Sequence, residues 1–370
     1  MNTKLRSLIF AILLTALLSC GLVSAQTMQT ATAGNDPLAA LPASDGVMFA
    51  DVRRILTEII PRLLANNPAA LAQMASTLNE ANTKTGVNLL SIDRVAVGVR
   101  FLGPLFPHPP KESIGIVVIV HGDSSVGAVV EFLKREMKGK FTEENYGGRV
   151  IYSEPPPAPP RKRTERATPA LAMLDASTIL IGDLPQVRAA IDAASGNGRV
   201  DSSLVELATR DPNALVGSAV NVPESVKKGI SDTAPKDEMA QTIVKFVTSI
   251  KQSYSSVGAT ATDYHFIMGA RFESAEQAQS VGDMLLGLRQ QANSFISDEE
   301  IRGVLNSLQI TTQDNEVQLR ADIKIEVVQD FVASVMKEKK VEGATAAKPA
   351  PAKAKTTTKH RRGRRRTQRH

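Results

Sequence analysis

Between Glu316 and Ile325 polar and apolar residues alternate. Val317, Leu319, Ala321, Ile323 and Ile325 share one side and polar groups take the other. That is the period of a strand with one dry and one wet face. Further strands are predicted at 47–52 (VMFADV), 95–101 (VAVGVRF), 114–121 (IGIVVIVH), 214–222 (ALVGSAVNV), 257–262 and 264–272 (YHFIMGARF). Apolar residues recur at helical spacing in 53–64 (RRILTEIIPRLL), 126–137 (VGAVVEFLKREM), 185–194 (PQVRAAIDAA), 274–292 and 327–336 (VVQDFVASVM). Another helix is expected from Pro223, because proline suits the start of a helix. Ser274 and Gln277 have the spacing of a capping box, in which hydroxyl and amide satisfy free backbone N–H groups.

The order of these elements occurs twice: strand, helix, paired strands, amphipathic helix, hairpin, closing helix. One hairpin runs from 140–145 through Tyr146-Gly147-Gly148 into 149–153. Its counterpart runs from 309–313 through Asp314-Asn315 into 316–325. Segments 170–175 and 178–182 read as an extra hairpin of the first copy. The pattern predicts an α+β fold of two tandem related units, 41–198 and 211–338. Each is a mostly antiparallel sheet with helices packed on one face. Alternation within the strands argues against a doubly wound parallel sheet, whose strands are apolar on both sides.

Three motifs carry a resemblance. Leu41-Pro42-Ala43-Ser44-Asp45-Gly46-Val47 precedes a strand, and Ile179-Leu180-Ile181-Gly182-Asp183 precedes a helix. The pattern returns to a strand at Asn213-Ala214-Leu215-Val216. Over about residues 40–338 the chain resembles an uncharacterised family of duplicated α+β bacterial exported proteins with an LPAD-type opening. The resemblance implies an envelope protein and brings no catalytic residues with it.

The N-terminus has the layout of an export signal. Lys4 and Arg6 precede the apolar run 8–18 (LIFAILLTALL), and Val23-Ser24-Ala25 supplies small residues before Gln26. The run is shorter than the ~20 residues needed to span a bilayer. Residues 1–25 are therefore read as a signal peptide and 26–40 as a linker. Localisation is expected to be periplasmic, cell-envelope or secreted. Two readings of the cleavage stay open. A cut after Ala25 leaves no cysteine, since Cys20 is the only one. A lipobox at Leu17-Leu18-Ser19-Cys20 would instead make Cys20 a lipidated N-terminus, an anchor. Neither product contains an internal disulfide, so the fold must rest on its core.

Charge is segregated. The chain is net +6, yet residues 348–370 hold ten Lys and Arg with no acid and Lys4 and Arg6 add two more positive charges, which leaves 26–347 at net −6. Residues 339–370 are predicted to be a disordered Lys/Ala/Pro linker followed by an arginine cluster. Arg361, Arg362, Arg364, Arg365, Arg366 and Arg369 form a candidate anion-binding site, because guanidinium grips phosphate and carboxylate in a bidentate way. In an exported protein the matching partners are anionic envelope polymers, lipid head groups or extracellular nucleic acid. No aromatic residue is interleaved, so base stacking is not indicated. The competing reading is a tail that only solubilises.

Candidate chemistry is sparse. His121-Gly122-Asp123-Ser124-Ser125 is similar to the Gly-Asp-Ser block of a lipase and esterase class, with Ser124 as nucleophile. No Asp-x-x-His follows it. Asp263-Tyr264-His265 has the wrong spacing and falls in a predicted strand. The preferred reading is a helix cap at Asp123 or Ser124, since a nucleophile needs a base and an oxyanion hole in reach. None of His108, His121, His265, His360 and His370 pairs with another His or Cys at metal-ligand spacing, so neither a metal nor a cofactor is expected. Two proline-rich stretches, 103–110 (GPLFPHPP) and 155–166 (PPPAPPRKRTER), read as insertions between strands. The chain has no tryptophan, which argues mildly against a carbohydrate enzyme. The expectation is a non-enzymatic exported envelope protein, a binding or scaffold module whose basic tail contacts anionic polymers or membrane surface. The alternatives are an exported serine hydrolase using Ser124 and a structural partner of another envelope protein.

Overall fold

The computed structural model describes residues 37–86, 88–103, 114–122, 126–136, 141–155, 168–234, 238–296 and 299–334. β1 (Gly46–Asp51) runs into helix α1 (52–63), whose middle is a π-helical stretch at Ile55–Ile59. α2 (Pro68–Thr85) starts where the Asn67 side chain accepts from the Ala70 N–H. Then come β2 (Ile92–Phe101), β3 (Ile114–Gly122) and α3 (Val126–Glu136). The hairpins β4 (Thr142–Tyr146) with β5 (Arg149–Ser153) and β6 (Pro169–Met173) with β7 (Thr178–Asp183) lead to α4 (Leu184–Ala194). After α5 (Ser202–Ala208) the chain continues through β8 (Ala214–Asn221), α6 (Glu224–Thr233), α7 (Glu238–Ser249), β9 (Ile250–Ala259) and β10 (Asp263–Phe272). It closes with α8 (Ala275–Phe295), α9 (Glu299–Ser307), β11 (Gln309–Gln313), β12 (Glu316–Lys324) and α10 (325–334). Gly147 and Gly148 take φ of 54° and 75°, the left-handed pair that a tight two-residue hairpin turn requires.

The fold is α+β, and the twelve strands among the described residues form one antiparallel sheet in the order β11-β12-β10-β9-β8-β1-β2-β3-β7-β6-β5-β4. β1 and β8 pair at the centre, with Phe49 opposite Gly217. The two predicted sheets are thus joined into one. Read outwards from that pair, the order is β1-β2-β3-β7-β6 on one side and β8-β9-β10-β12-β11 on the other. This corrects the hairpin assignment. β7 pairs with β3 as β12 pairs with β10, so β6–β7 holds the place that matches β11–β12. The hairpin β4–β5 is appended outside it.

Helices cover both faces, where one was expected. On the front, Val187, Ala190 and Ile191 of α4 and Leu204 and Leu207 of α5 meet Val47, Phe49, Val117, Ile119, Ala172 and Leu180 in the main core. On the back, Val130 of α3 meets Leu171 and Ile179, and Ala278 and Val281 of α8 meet Phe272 and Val317. Also on the back, Ile59 of α1 and Ile325 of α10 meet Leu215, Ala259 and Tyr264. The cause is visible in β6 and β7. Ala170, Leu171 and Ala172 are consecutive, as are Ile179 and Leu180, so these strands present apolar side chains to both faces and need cover on both.

Candidate functional site: an open polar groove

On the C-terminal half of the sheet the front face changes character. β12 turns Glu316, Gln318, Arg320 and Asp322 forward, opposite Arg271, Gly269, Ile267 and His265 of β10. β11 adds Thr311 and Gln313, and β9 adds Tyr254 and Gln252. Of these, Glu316, Gln318, Arg271, Thr311, Gln313 and Gln252, together with Arg210, Lys251, Asp314 and Asn315, line an open groove of about 630 Å³. The wet side of the alternation at 316–325 forms its floor.

Glu316 organises the groove. One carboxylate oxygen accepts from Arg210 and from the Tyr254 hydroxyl, and the other accepts from Arg271 Nε at 3.0 Å. Gln318 donates to the Tyr254 oxygen at 3.0 Å, and the Arg210 guanidinium stacks 4.8 Å over the Tyr254 ring. Burial opposes the Glu316 carboxylate, but the bonds from Tyr254, Arg271 and Arg210 outweigh it and hold its pKa below the ordinary value. Burial, and then the bond to Glu316, push the Tyr254 hydroxyl up to about 12. Tyr254 therefore stays a neutral donor. Three cations, Arg210, Lys251 and Arg271, line the groove against Asp314 and Glu316. Glu206, mostly exposed, lies 3.8 Å from Arg210 and 3.7 Å from Arg271, so a second carboxylate flanks the two arginines on the solvent side.

A second polar cluster lies deeper. His265 Nε2 is 2.8 Å from Asp211 Oδ2, and Ser256 donates to the same oxygen at 3.3 Å. Burial works against the Asp211 carboxylate, yet the bonds from His265, the Asn213 N–H and Ser256 keep its pKa below the ordinary value. His265 sits in β10, as its predicted strand required, and is only 2% exposed. Ser256 hydrogen-bonds to Asp211 and not to His265, and substrate has no approach to the trio. It buttresses the sheet and does not form a nucleophile with its base.

Of the residues singled out from sequence, Cys20, Ser124 and the tail arginines Arg361, Arg362, Arg364, Arg365, Arg366 and Arg369 lie outside the described residues. His121 is placed, with Nδ1 at 3.1 Å from Thr178 Oγ1. Among the described residues no group of three His, Cys, Asp or Glu could hold a metal ion, and no helix is long and apolar enough to cross a membrane. Sequence reasoning passed over Arg210, Tyr254, Arg271 and Gln318. The bonds Arg210–Glu316 and Tyr254–Glu316 span 106 and 62 residues, beyond any local pattern.

No protein-family model and no curated protein matches the chain. Solved structures that resemble it include crystal form III of TP0453, with 9% identity and a TM-score of 0.41, covering 81% of this chain and 98% of that one. Crystal form I of TP0453 gives 10% identity and a TM-score of 0.39, covering 81% and 97%.

Proposed function

We propose that the chain is a non-enzymatic exported envelope protein, a binding module that holds an anionic polymer or lipid head groups with its front groove and its basic tail. The observation that carries this reading is the groove itself, with Arg210, Lys251 and Arg271 in its lining and Glu316 bracing the two arginines. Guanidinium groups braced by a half-buried carboxylate keep their orientation, and an anion that displaces the exposed Glu206 from them meets donors already in place. The Gln313 amide lies beside them in the groove lining.

The test measures binding of the purified chain to an acidic polysaccharide and, separately, to anionic-lipid vesicles. Each is done with and without residues 348–370, at low and high salt. Binding should weaken with salt, as counterion release demands, and removing the tail should flatten that dependence without abolishing binding. Salt-independent binding, or none to either probe, would reject the reading. Turnover of an ester that disappears in Ser124→Ala would favour the hydrolase alternative instead.

A further inference from the structure

The sheet ends in two edge strands, β4 and β11, and they are guarded differently. β4 reads Thr-Glu-Glu-Asn-Tyr, and Glu144 is tied to Arg188 of α4 at 2.5 Å. Adding a second β4 would set carboxylates against their own copies, the kind of charge that blunts an edge. β11 reads Gln-Ile-Thr-Thr-Gln. It has no charge, no proline and no bulge in its register with β12.

Its backbone is also poised. The two-residue turn Asp314-Asn315 makes Gln313 and Glu316 the hydrogen-bonded pair beside the turn. Alternation along an antiparallel ladder then sends the N–H and C=O of Ile310 and Thr312 outwards. Among the described residues, none of these four groups meets a backbone partner on that side. An open edge with neither charge nor bulge is a template for another strand.

We propose that β11 pairs antiparallel with the β11 of a second copy of this chain, extending the sheet across a two-fold axis at Thr311. The segment is nearly its own reverse, so this register sets Gln309 opposite Gln313, and Ile310 opposite Thr312, of the second copy. Ile310 and Thr312 then exchange N–H···O=C bonds across the axis, which satisfies all four outward groups of each copy. Like charges do not meet, which is the condition that β4 fails. On the back face, α8 lies over this edge so closely that a Cβ on Gly282 would lie 2.1 Å from Thr312 Oγ1. Leu286, one turn further on that flank, is 39% exposed, and the axis brings it towards its copy. On the front, the two grooves become neighbours, so one polymer can engage both and gain in effective concentration. The pairing itself does not depend on the groove's ligand.

The test is sedimentation equilibrium of the purified chain over a concentration series, with Thr311→Lys, Thr311→Glu and an equimolar mixture of the two. Thr311 is exposed on the front face, so both variants should keep the native circular dichroism spectrum. The wild type should dimerise. Each variant alone should dimerise roughly fivefold more weakly or worse, because like charges meet at the axis. The mixture should restore a mixed dimer. A wild type that stays monomeric throughout overturns the proposal. So does a dimer indifferent to both substitutions, or a mixture that fails to recover. Protection of the β11 amides only on adding a different envelope protein would give the edge to a foreign strand and overturn self-pairing.

Discussion

The front face of the sheet has two ends built from the same strand order and finished in opposite ways. At the N-terminal end, β7 is followed by α4, which lies across β3, β7 and β6 and seals Ala170, Ala172 and Leu180 against Val187 and Ile191. At the C-terminal end, β12 is followed by α10, which packs on the back face against α1. There Ile325 joins Ile59, and Gln329 donates to the Arg62 carbonyl at 2.7 Å. The side chains explain the choice. β7 is apolar on both faces and its front needs a lid. β12 is apolar only behind, and its front, with Glu316, Gln318, Arg320 and Asp322, is satisfied by neighbours and solvent. The closed end buries its apolar front under a helix, and the open end leaves a polar front to solvent.

Substitutions can break this contrast, and the largest effect belongs to the closed end. Leu180 is fully buried under α4. Leu180→Ala should cost about 2–5 kcal/mol in chemical denaturation, whereas Gln318→Ala on the groove floor should cost well under half of that. Equal losses would show that the groove is as much a part of the core as the α4 seam.

Next in size is the buried trio of Asp211, Ser256 and His265. Asp211→Ala leaves His265 Nε2 and the Ser256 hydroxyl without their acceptor and should cost about 1–3 kcal/mol. An unchanged melting curve would remove the trio from any structural role.

Glu316→Gln is smaller and depends on pH. The Glu316 pKa in the folded chain lies below its ordinary value of 4.5, so its contribution is complete above that pH. The contribution fades as pH falls through the folded value, where the unfolded chain binds the proton first. Glu316→Gln should lower stability by about 1 kcal/mol at neutral pH, a figure reduced for the partial exposure of both arginines. Stability against pH should show the two proteins converging in acid. Curves that stay parallel down to the acid limb would mean that Glu316 does not brace the arginines.

Much of this contrast is legible in the sequence. The alternation at 316–325 announces a strand with a wet face, and that face is the groove floor. The hairpin turn at Gly147-Gly148 and the cap at Ser274, which accepts from the Gln277 N–H at 3.3 Å, are local and read directly. β9 is harder. Gln252, Ser253, Ser255 and Ser256 make it look like a loop, so the strand predicted at 257–262 starts late and overruns. The structure turns at Thr260, and β9 owes its place to pairing with β8 and β10, where Ser218 and Ser255 meet at 2.9 Å. The single sheet is harder still, because the β1–β8 pairing joins segments from opposite halves of the chain. The groove was half visible. Its floor obeys a period of two, but Arg210 and Tyr254 reach Glu316 from elements that only the folded sheet brings together.

The smallest expected effect on stability is also the most direct test of function. Lys251 is exposed in the groove, and Arg149 is exposed at the hairpin turn of the closed end. Lys251→Glu and Arg149→Glu each should change stability by less than about 0.5 kcal/mol. The decisive measurement is the affinity of both variants, lacking residues 348–370, for the acidic polysaccharide at low salt. The open groove predicts that Lys251→Glu binds several-fold more weakly while Arg149→Glu matches the parent. Equal losses in the two variants, or none in either, would contradict it.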